Sequence, residues 1–465
     1  MAIATVNPAT GETLKTFDAL NVGEIEEKLF RADRAFRDYR LTDFAQRAGL
    51  MHRAADMLEA DQDGIARTMT TEMGKTLVSA RAEAAKCVKA MRWYAKHAEE
   101  QLADERPAPA DVKDSGASRA YVRYRPIGTI LAVMPWNFPL WQVIRFAAPA
   151  LMAGNTALLK HASNVPQTAL YVEELFRKAG FPEGVFQTLL VGSGSVADLL
   201  RDERVVAATL TGSEPAGRSV ASIAGDEIKK TVLELGGSDP FLVLPTADLD
   251  KAVRTAVTAR VQNAGQSCIA AKRFIVHTDV FERFASGFVE RMADLKVGDP
   301  MDENTDVGPL SSAQGRSDLE ELVDDATRQG ATALCGGGRP LHLQDGWFYE
   351  PTVLTGITEE MRIHQEEAFG PVASLYRVAD LQEAVALANN TPFGLSSNAW
   401  TRDAAEQELL TRDLEAGGIF FNGMTASHPG LPFGGTKRSG YGRELAGHGI
   451  REFCNATTVW FGPEE

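Results

Sequence analysis

Between residues 128 and 237 the chain switches its hydrophobic period repeatedly. Short apolar runs, "GTILAVMP", "NTALLK" (155–160), "GVFQTLLVG", "VVAATLTG" and "KKTVLELGG", alternate with longer stretches. In those stretches, such as "QTALYVEELFRKAG" and "EPAGRSVASIAG", apolar residues recur at spacings of three and four. The runs predict strands covered on both faces, and the stretches predict helices. Connections this short favour a doubly wound parallel sheet with helices on its faces. Ligands of such sheets bind beyond the carboxyl ends of the strands, where loops and helix starts converge.

The alternation resumes after Gly237, through "PFLVL", a helix near 248–262, "KRFIVHT" and a helix near 280–295, then "EAVALANNTPFGLSSNAWT" and "GGIFFNG". A second α/β domain is expected, since 465 residues are long for one core. The first hundred residues read as helical, in "VGEIEEKLFRADRAFRDYR" and "RAEAAKCVKAMRWYAKHAEEQLA". Cys87, inside the second of these, is expected to be a packing residue. "ADERPAPADVKDSG" reads as a loop, "SRAYVRYRP" as a strand, and "REFCNATTVWFG" as a last strand with Cys454 packed in it. "GSGSV" (192–196) and "CGGGRP" (335–340) are not GxGxxG and read as ordinary turns.

Charge and spacing remove several function classes. With 48 basic and 63 acidic residues the net charge is −15, which disfavours nucleic acid or an anionic membrane as main partner. The opening "MAIATVNPATGETLK" lacks the basic start and apolar run of a secretory signal, and no apolar stretch approaches the ~20 residues of a membrane span. A soluble cytoplasmic protein is expected. Cys87, Cys268, Cys335 and Cys454 are far apart without a CxxC pair, and the eight histidines form no HxxxH or HExxH pair. Neither a disulfide framework nor a metal site is expected.

Cys268, in "NAGQSCIAA" (263–271), is flanked by small residues that admit close approach. A nucleophilic cysteine also needs help to form a thiolate and donors for the charge created on attack. "PWNFP" holds Asn137 between prolines, and "LELGG" ends a strand on Glu234, where a base can reach across a cleft. "TGSEPAG" (211–217) lies between a strand and a helix, where backbone N–H groups suit a phosphate. Taken singly, each has a plainer reading: a packed cysteine, a turn cap, a strand-end charge.

Together, "PWNFP", "TGSEPAG", "LELGG", "NAGQSC", "EEAFGP" (366–371), "NTPFGLS" (390–396) and "PFGGTKRSGYGRE" (432–444) follow one another in the order found in the aldehyde dehydrogenase superfamily. The resemblance extends from "VNPATGE" to the final strand. It implies an α/β fold with a doubly wound cofactor domain (1–116 and 128–235), an α/β catalytic domain (236–432) and a return segment (433–450). A small β extension for oligomerisation (117–127 and 451–465) would make a homodimer or homotetramer. The chemistry implied is attack of the Cys268 thiolate on an aldehyde to give a thiohemiacetal, with the oxyanion held by Asn137 and the Cys268 N–H. Hydride loss to a nicotinamide then leaves a thioester, which Glu234 hydrolyses by activating water. The resemblance places Trp136, Lys160, Ser163, Gly212, Ser213, Gly217, Glu367 and Phe369 at the cofactor, with no metal.

Two departures bear on specificity. "LLKHASN" keeps the lysine near the adenosine ribose as Lys160 but has Ser163 where many relatives have glutamate. A glutamate there repels a 2′-phosphate and serine does not, so NADP is expected over NAD, with NAD use possible. His161 replaces a usual proline. On the substrate side, Arg145 matches an arginine that holds the substrate carboxylate in the succinate-semialdehyde-oxidising branch, and Ser427 a serine with the same role. Gln262 stands where some of those enzymes have a second arginine. A small aldehyde bearing a carboxylate, succinate semialdehyde, is the substrate this implies. The alternatives are an aldehyde dehydrogenase of broad or other specificity with Arg145 in a structural salt bridge, a non-catalytic protein of this fold, and a metal-dependent hydrolase.

Overall fold

The computed structural model describes residues 2–463. Two large sheets organise the chain. The first runs Gly440–Tyr441, Lys230–Glu234, Val205–Thr211, Thr129–Met134, Thr156–His161, Phe186–Thr188, parallel throughout except for the antiparallel edge at Gly440–Tyr441. Its central strands TILAVM and TALLKH are buried almost without a break, which is why they lack an alternating pattern. The second runs Thr332–Cys335, Thr352–Thr355, Val372–Val378, Ala271–His277, Asp239–Val243, Ser396–Trp400, Gly418–Phe421, parallel except for Thr332–Cys335.

Helices cover both sheets, and their starts are written in the sequence. Asn21 with Glu24 and Asp43 with Gln46 each form a reciprocal capping box, opening Val22–Tyr39 and Phe44–Ala60. The helix Trp141–Ala153 is different: all of its residues are buried, and Gly154 ends it at φ +99°. Arg145 falls inside this apolar cylinder, so its charge must find a partner within the protein.

Four sequence expectations need correction. Residues Ile3–Val6 and Thr13–Phe17 form a β-hairpin ahead of the helices, around the "NPATGE" turn, so the first hundred residues are not all helical. The strand TVLT and the strand VASLYRV complete the second sheet, and the sequence reading passed over both. "ADERPAPADVKDSG" contains the short helix Pro109–Asp114, started by proline at its first position. "GVFQTLLVG" contributes only Phe186–Thr188 as strand, because it pairs on one side alone at the sheet edge.

The segments Arg119–Pro126 and Cys454–Phe461 pair antiparallel as a two-stranded ribbon. The last two residues of the extension expected from sequence lie outside the described residues. Cys87 is fully buried, as expected of a packing residue, and Cys454 begins the ribbon's second strand, half-buried against the core. Among the described residues no helix is long and apolar enough to cross a membrane.

Candidate active site

The carboxyl ends of four adjacent strands deliver the site. Met134, His161, Thr211 and Glu234 end neighbouring strands of the first sheet, with Met134 opposite His161 and Thr211 opposite Glu234. The loops leaving Met134 and Thr211 carry "PWNFP" and "GSEPAG". They meet the nucleophile loop from the second sheet in one cavity, lined by Trp136, Asn137, Gly212, Ser213, Gly236, Cys268, Glu367 and Phe369 among others.

The nucleophile loop depends on backbone freedom at particular positions. Asn263 and Ala264 take left-handed conformations (φ +57° and +54°), as does Gly265 at φ +73°. A Cβ on Gly265 would stand 2.2 Å from the Gly370 carbonyl oxygen, so "NAGQSC" can press against "EEAFGP" only with glycine there. Gly237 plays the same part for "LELGG": its Cβ would lie 2.5 Å from the Cys268 carbonyl oxygen. Both spacings bring Glu367 and Cys268 to a common wall.

Polar contacts then hold the wall. The Asn137 amide Nδ2 donates to the Gln266 carbonyl at 3.1 Å, while Asn263 Nδ2 donates to the Asn137 carbonyl at 2.7 Å. Lys272 Nζ donates to the carbonyls of Ser267 (2.7 Å) and Cys268 (2.8 Å) and to Glu367 Oε1 at 2.9 Å. One buried ammonium thus ties the nucleophile loop to the Glu367 carboxylate. Phe369 meets Trp136 edge to face, ring centroids 5.8 Å apart.

Burial pushes the Cys268 thiol up to about 12, against the opposing pull of Lys272 and Arg145. The resting side chain is therefore a thiol, and a base is needed to make it a nucleophile. Glu234 has both carboxylate oxygens buried and unpartnered among the described residues. Burial first, and the neighbouring Glu444 carboxylate second, hold its proton affinity well above that of an ordinary carboxylate. Its side chain is turned toward Gly434, where a Cβ would come within 2.8 Å of Oε1, and does not line the cavity.

The remaining sequence candidates divide. Gly212 donates its N–H to the Glu234 carbonyl at 2.9 Å, and Ser213 opens the helix Glu214–Asp226 without capping it by its own side chain. Gly217 lies outside the cavity: a Cβ there would meet Leu235 Cδ2 at 2.6 Å, so it lets that helix approach the sheet. Lys160 is 8% exposed, its ammonium pushed down by burial, and it makes no ion pair among the described residues. Ser163 is half-buried, and its carbonyl accepts from the Ala4 N–H at 3.0 Å, pinning this loop to the N-terminal hairpin. Arg145 forms an ion pair with Glu444, with its guanidinium 4.8 Å from the Phe433 ring centroid and Nη2 donating to Thr211 Oγ1 at 3.3 Å. Gln262 Nε2 is buried and unpartnered, and Ser427 Oγ accepts from Lys86 Nζ at 2.6 Å.

Several supporting residues escaped the sequence reading. His161 Nε2 lies 2.8 Å from the Pro139 carbonyl and Nδ1 accepts from the Ala162 N–H at 2.9 Å. Burial drives this ring down to about 4, so it is neutral and clamps "PWNFP" two residues past Asn137. Glu83, ion-paired with Lys75, accepts from the N–H groups of Leu140 (2.9 Å) and Trp141 (2.8 Å). It thereby caps the helix that carries Arg145. Buried charge inside a helical pattern was the available signal for Glu83. His161, Lys272 and Glu444 carried none without knowledge of their neighbours.

The fit to a phosphorylated dinucleotide can be judged from these side chains. A buried lysine without an anion, a serine in place of a carboxylate beside it, and an uncapped helix start suit a phosphate-rich ligand. Glu367 and the Trp136–Phe369 pair flank the same cavity as Cys268.

Comparison with known proteins agrees with this arrangement. A model described as the aldehyde dehydrogenase family matches residues 1–459. A Mycobacterium avium protein named succinate-semialdehyde dehydrogenase [NADP(+)] is 64% identical, covering 99% of this chain and 97% of the relative. A Mycobacterium tuberculosis protein named succinate-semialdehyde dehydrogenase [NADP(+)] 1 is 63% identical over 99% of this chain and all of the relative. The crystal structure of succinic semialdehyde dehydrogenase from Streptococcus pyogenes, in complex with NADP+, superposes with a TM-score of 0.96 at 37% identity, covering 99% of this chain and 100% of that one. A match that runs through both sheets and the loops between them makes this chain a member of the aldehyde dehydrogenase family.

Proposed function

We propose that the chain oxidises succinate semialdehyde to succinate with NADP. The observation that carries this reading is the near full-length identity, 63–64%, to relatives bearing that activity in their names. The cavity supports it with a cysteine, an amide and a phosphate-compatible helix start in one place.

In this mechanism Cys268 loses its proton to Glu234, whose affinity for protons burial raises above that of an ordinary carboxylate. Glu234 leaves its resting position beside Gly434 to reach the thiol and, later, water. The thiolate sulfur bonds the aldehyde carbon. Asn137 Nδ2 and the Cys268 N–H stabilise the oxyanion formed, a contribution of ~10²–10³-fold in rate per donor. When bound, NADP supplies the hydride acceptor. Lys160, Ser163, Gly212 and Ser213 would hold its phosphates, with Glu367, Trp136 and Phe369 at the nicotinamide end. Gly217 would act by letting the phosphate-side helix sit close to the sheet. The thioester left on Cys268 is hydrolysed by water that Glu234 deprotonates. Arg145, Gln262 and Ser427 form the acid-side set. At rest Arg145 is committed to Glu444, so it meets a substrate carboxylate only by leaving that pair.

The same reading assigns the cofactor, catalytic and return segments with the boundaries expected from sequence, and the ribbon to homo-oligomerisation in a cytoplasmic enzyme. Exposed Leu41 and Ile228 beside Arg125 and Asn455 of the ribbon support a partner surface there.

The test is a set of initial rates with succinate semialdehyde and butanal, each with NADP and NAD. The acid aldehyde with NADP should exceed the other combinations by about tenfold or more, ~1.4 kcal/mol in transition-state binding. Equal rates on the two aldehydes would remove the substrate assignment, and faster turnover with NAD the cofactor assignment.

A further inference from the structure

Lys272, the second residue of the strand Ala271–His277, is 2% exposed, and each proton of its ammonium finds an acceptor. Glu367 Oε1 takes one at 2.9 Å, and the carbonyls of Ser267 and Cys268 take the others at 2.7 and 2.8 Å. The side chain is absent from the lining of the Cys268 cavity. An ammonium with every donor engaged and no access to the cavity is not a general base. Whatever it contributes to the reaction passes through the groups it holds.

The Ser267 carbonyl matters most among them. It belongs to the same planar peptide unit as the Cys268 N–H, the second donor to the oxyanion in the mechanism above. In a trans peptide the two bonds point in opposite directions, so a carbonyl held by the buried ammonium turns the N–H away from it. Among the described residues that N–H donates to no group of the chain. A charge-assisted bond to the carbonyl also draws electron density through the amide and strengthens the N–H as a donor. The next peptide is held as firmly: the Cys268 carbonyl lies between Lys272 and Gly237, where a Cβ would come within 2.5 Å. The Ser267 carbonyl accepts one further bond, from the Ala270 N–H at 3.1 Å, which fixes its place without adding charge.

We infer that Lys272 is a positioning residue for the oxyanion: by bonding the Ser267 carbonyl it aims and polarises the Cys268 N–H. This rests on the proposed cysteine chemistry and deepens it, assigning the orientation of the donor to a residue outside the cavity. Glu367, ion-paired with the ammonium, keeps the charge in place. The same charge favours the Cys268 thiolate, which also has Arg145 and Lys86 within electrostatic reach as cations and Glu367 and Glu234 as carboxylates. The experiment therefore separates help to the thiolate from help to the oxyanion.

Lys272→Met removes the charge and its bonds, and Lys272→Gln keeps a neutral donor. Two rates are compared with wild type. One is NADPH formation in a single turnover, with enzyme in excess over succinate semialdehyde and NADP saturating. The other is alkylation of Cys268 by iodoacetamide across a range of pH, at the same NADP concentration without aldehyde, followed by mass spectrometry of its peptide. Alkylation needs the thiolate and makes no oxyanion. Lys272→Met should slow NADPH formation by about 10–10²-fold, less than the ~10²–10³-fold cost of a whole lost donor, and by several-fold more than it slows alkylation. Lys272→Gln should fall between Lys272→Met and wild type. An unchanged NADPH rate in both variants, or losses equal to those in alkylation, overturns the role at the oxyanion and leaves the substrate reading standing. Alkylation that speeds up in both variants marks a loosened loop and overturns it as well. A wild-type enzyme that makes no NADPH from the aldehyde overturns both.

Discussion

Arg145 and Glu444 form an ion pair almost fully enclosed by protein, and the pair sits beside the unpartnered carboxylate of Glu234. The helix around Arg145 offers its charge no water, so Glu444 is both its solvation and a like charge set against Glu234. Burial raises the proton affinity of Glu234 first and the Glu444 charge adds to it, against the opposing pull of Arg145 and Arg443.

Substituting Glu444→Gln removes the like charge and unmasks Arg145, and both changes lower the proton affinity of Glu234. The acid limb of the kcat–pH profile should therefore move to lower pH. Stability should fall by ~3 kcal/mol, because a buried guanidinium loses its partner. An unmoved acid limb in a folded variant, checked by thermal melting, would show that Glu234 does not titrate in the rate-limiting step.

His161 makes a second pH-dependent contribution, this time to stability. Its ring titrates at about 4 in the folded protein against 6.5 for an ordinary histidine. The unfolded chain thus takes up a proton first as pH falls. The contribution is whole above pH 6.5 and is lost progressively down to about 4, a difference of ~3 kcal/mol. Denaturant unfolding of wild type and His161→Asn across this window should give curves that converge toward acid pH. Parallel curves would contradict a neutral, buried ring.

At the cofactor, Ser163→Glu places a carboxylate where the account puts the 2′-phosphate. The kcat/KM with NADP should drop by roughly 10²-fold while that with NAD is retained or improved. Steady-state kinetics with both cofactors check this; a uniform loss would point to a damaged loop, since Ser163 also anchors the N-terminal hairpin through Ala4.

How far the sequence alone reaches differs between fold and site. The alternation of period from Gly128 to Gly237 announced the first sheet because its strands are buried on both faces and its helices on one. The strands TVLT and VASLYRV were harder to see. TVLT is four residues long, and VASLYRV is broken by an exposed arginine, so neither stands out from a loop-rich stretch. In the site, Cys268, Asn137 and Glu234 stood out through their flanking glycines and prolines, which are local. The residues that hold them are set by long-range proximity. Lys272 reaches Glu367, 95 positions away, and Lys86 reaches Ser427, 341 positions away. Arg145 shows the limit best. Its position in an apolar helix was legible, but whether its anion is a substrate or Glu444 depended on a loop nearly three hundred residues later.

The central claim is that Cys268 carries the substrate as a thioester which Glu234 hydrolyses. Its most direct measurement is mass spectrometry of the Glu234→Gln variant, quenched during turnover of succinate semialdehyde with NADP. The account expects a succinyl group on the peptide containing Cys268, formed more slowly than in the wild type because thiol deprotonation has lost its base, persisting because hydrolysis has lost it too, and absent when NADP is omitted. No covalent adduct in a variant that still makes NADPH, or an adduct on Cys87, Cys335 or Cys454 instead, would contradict it.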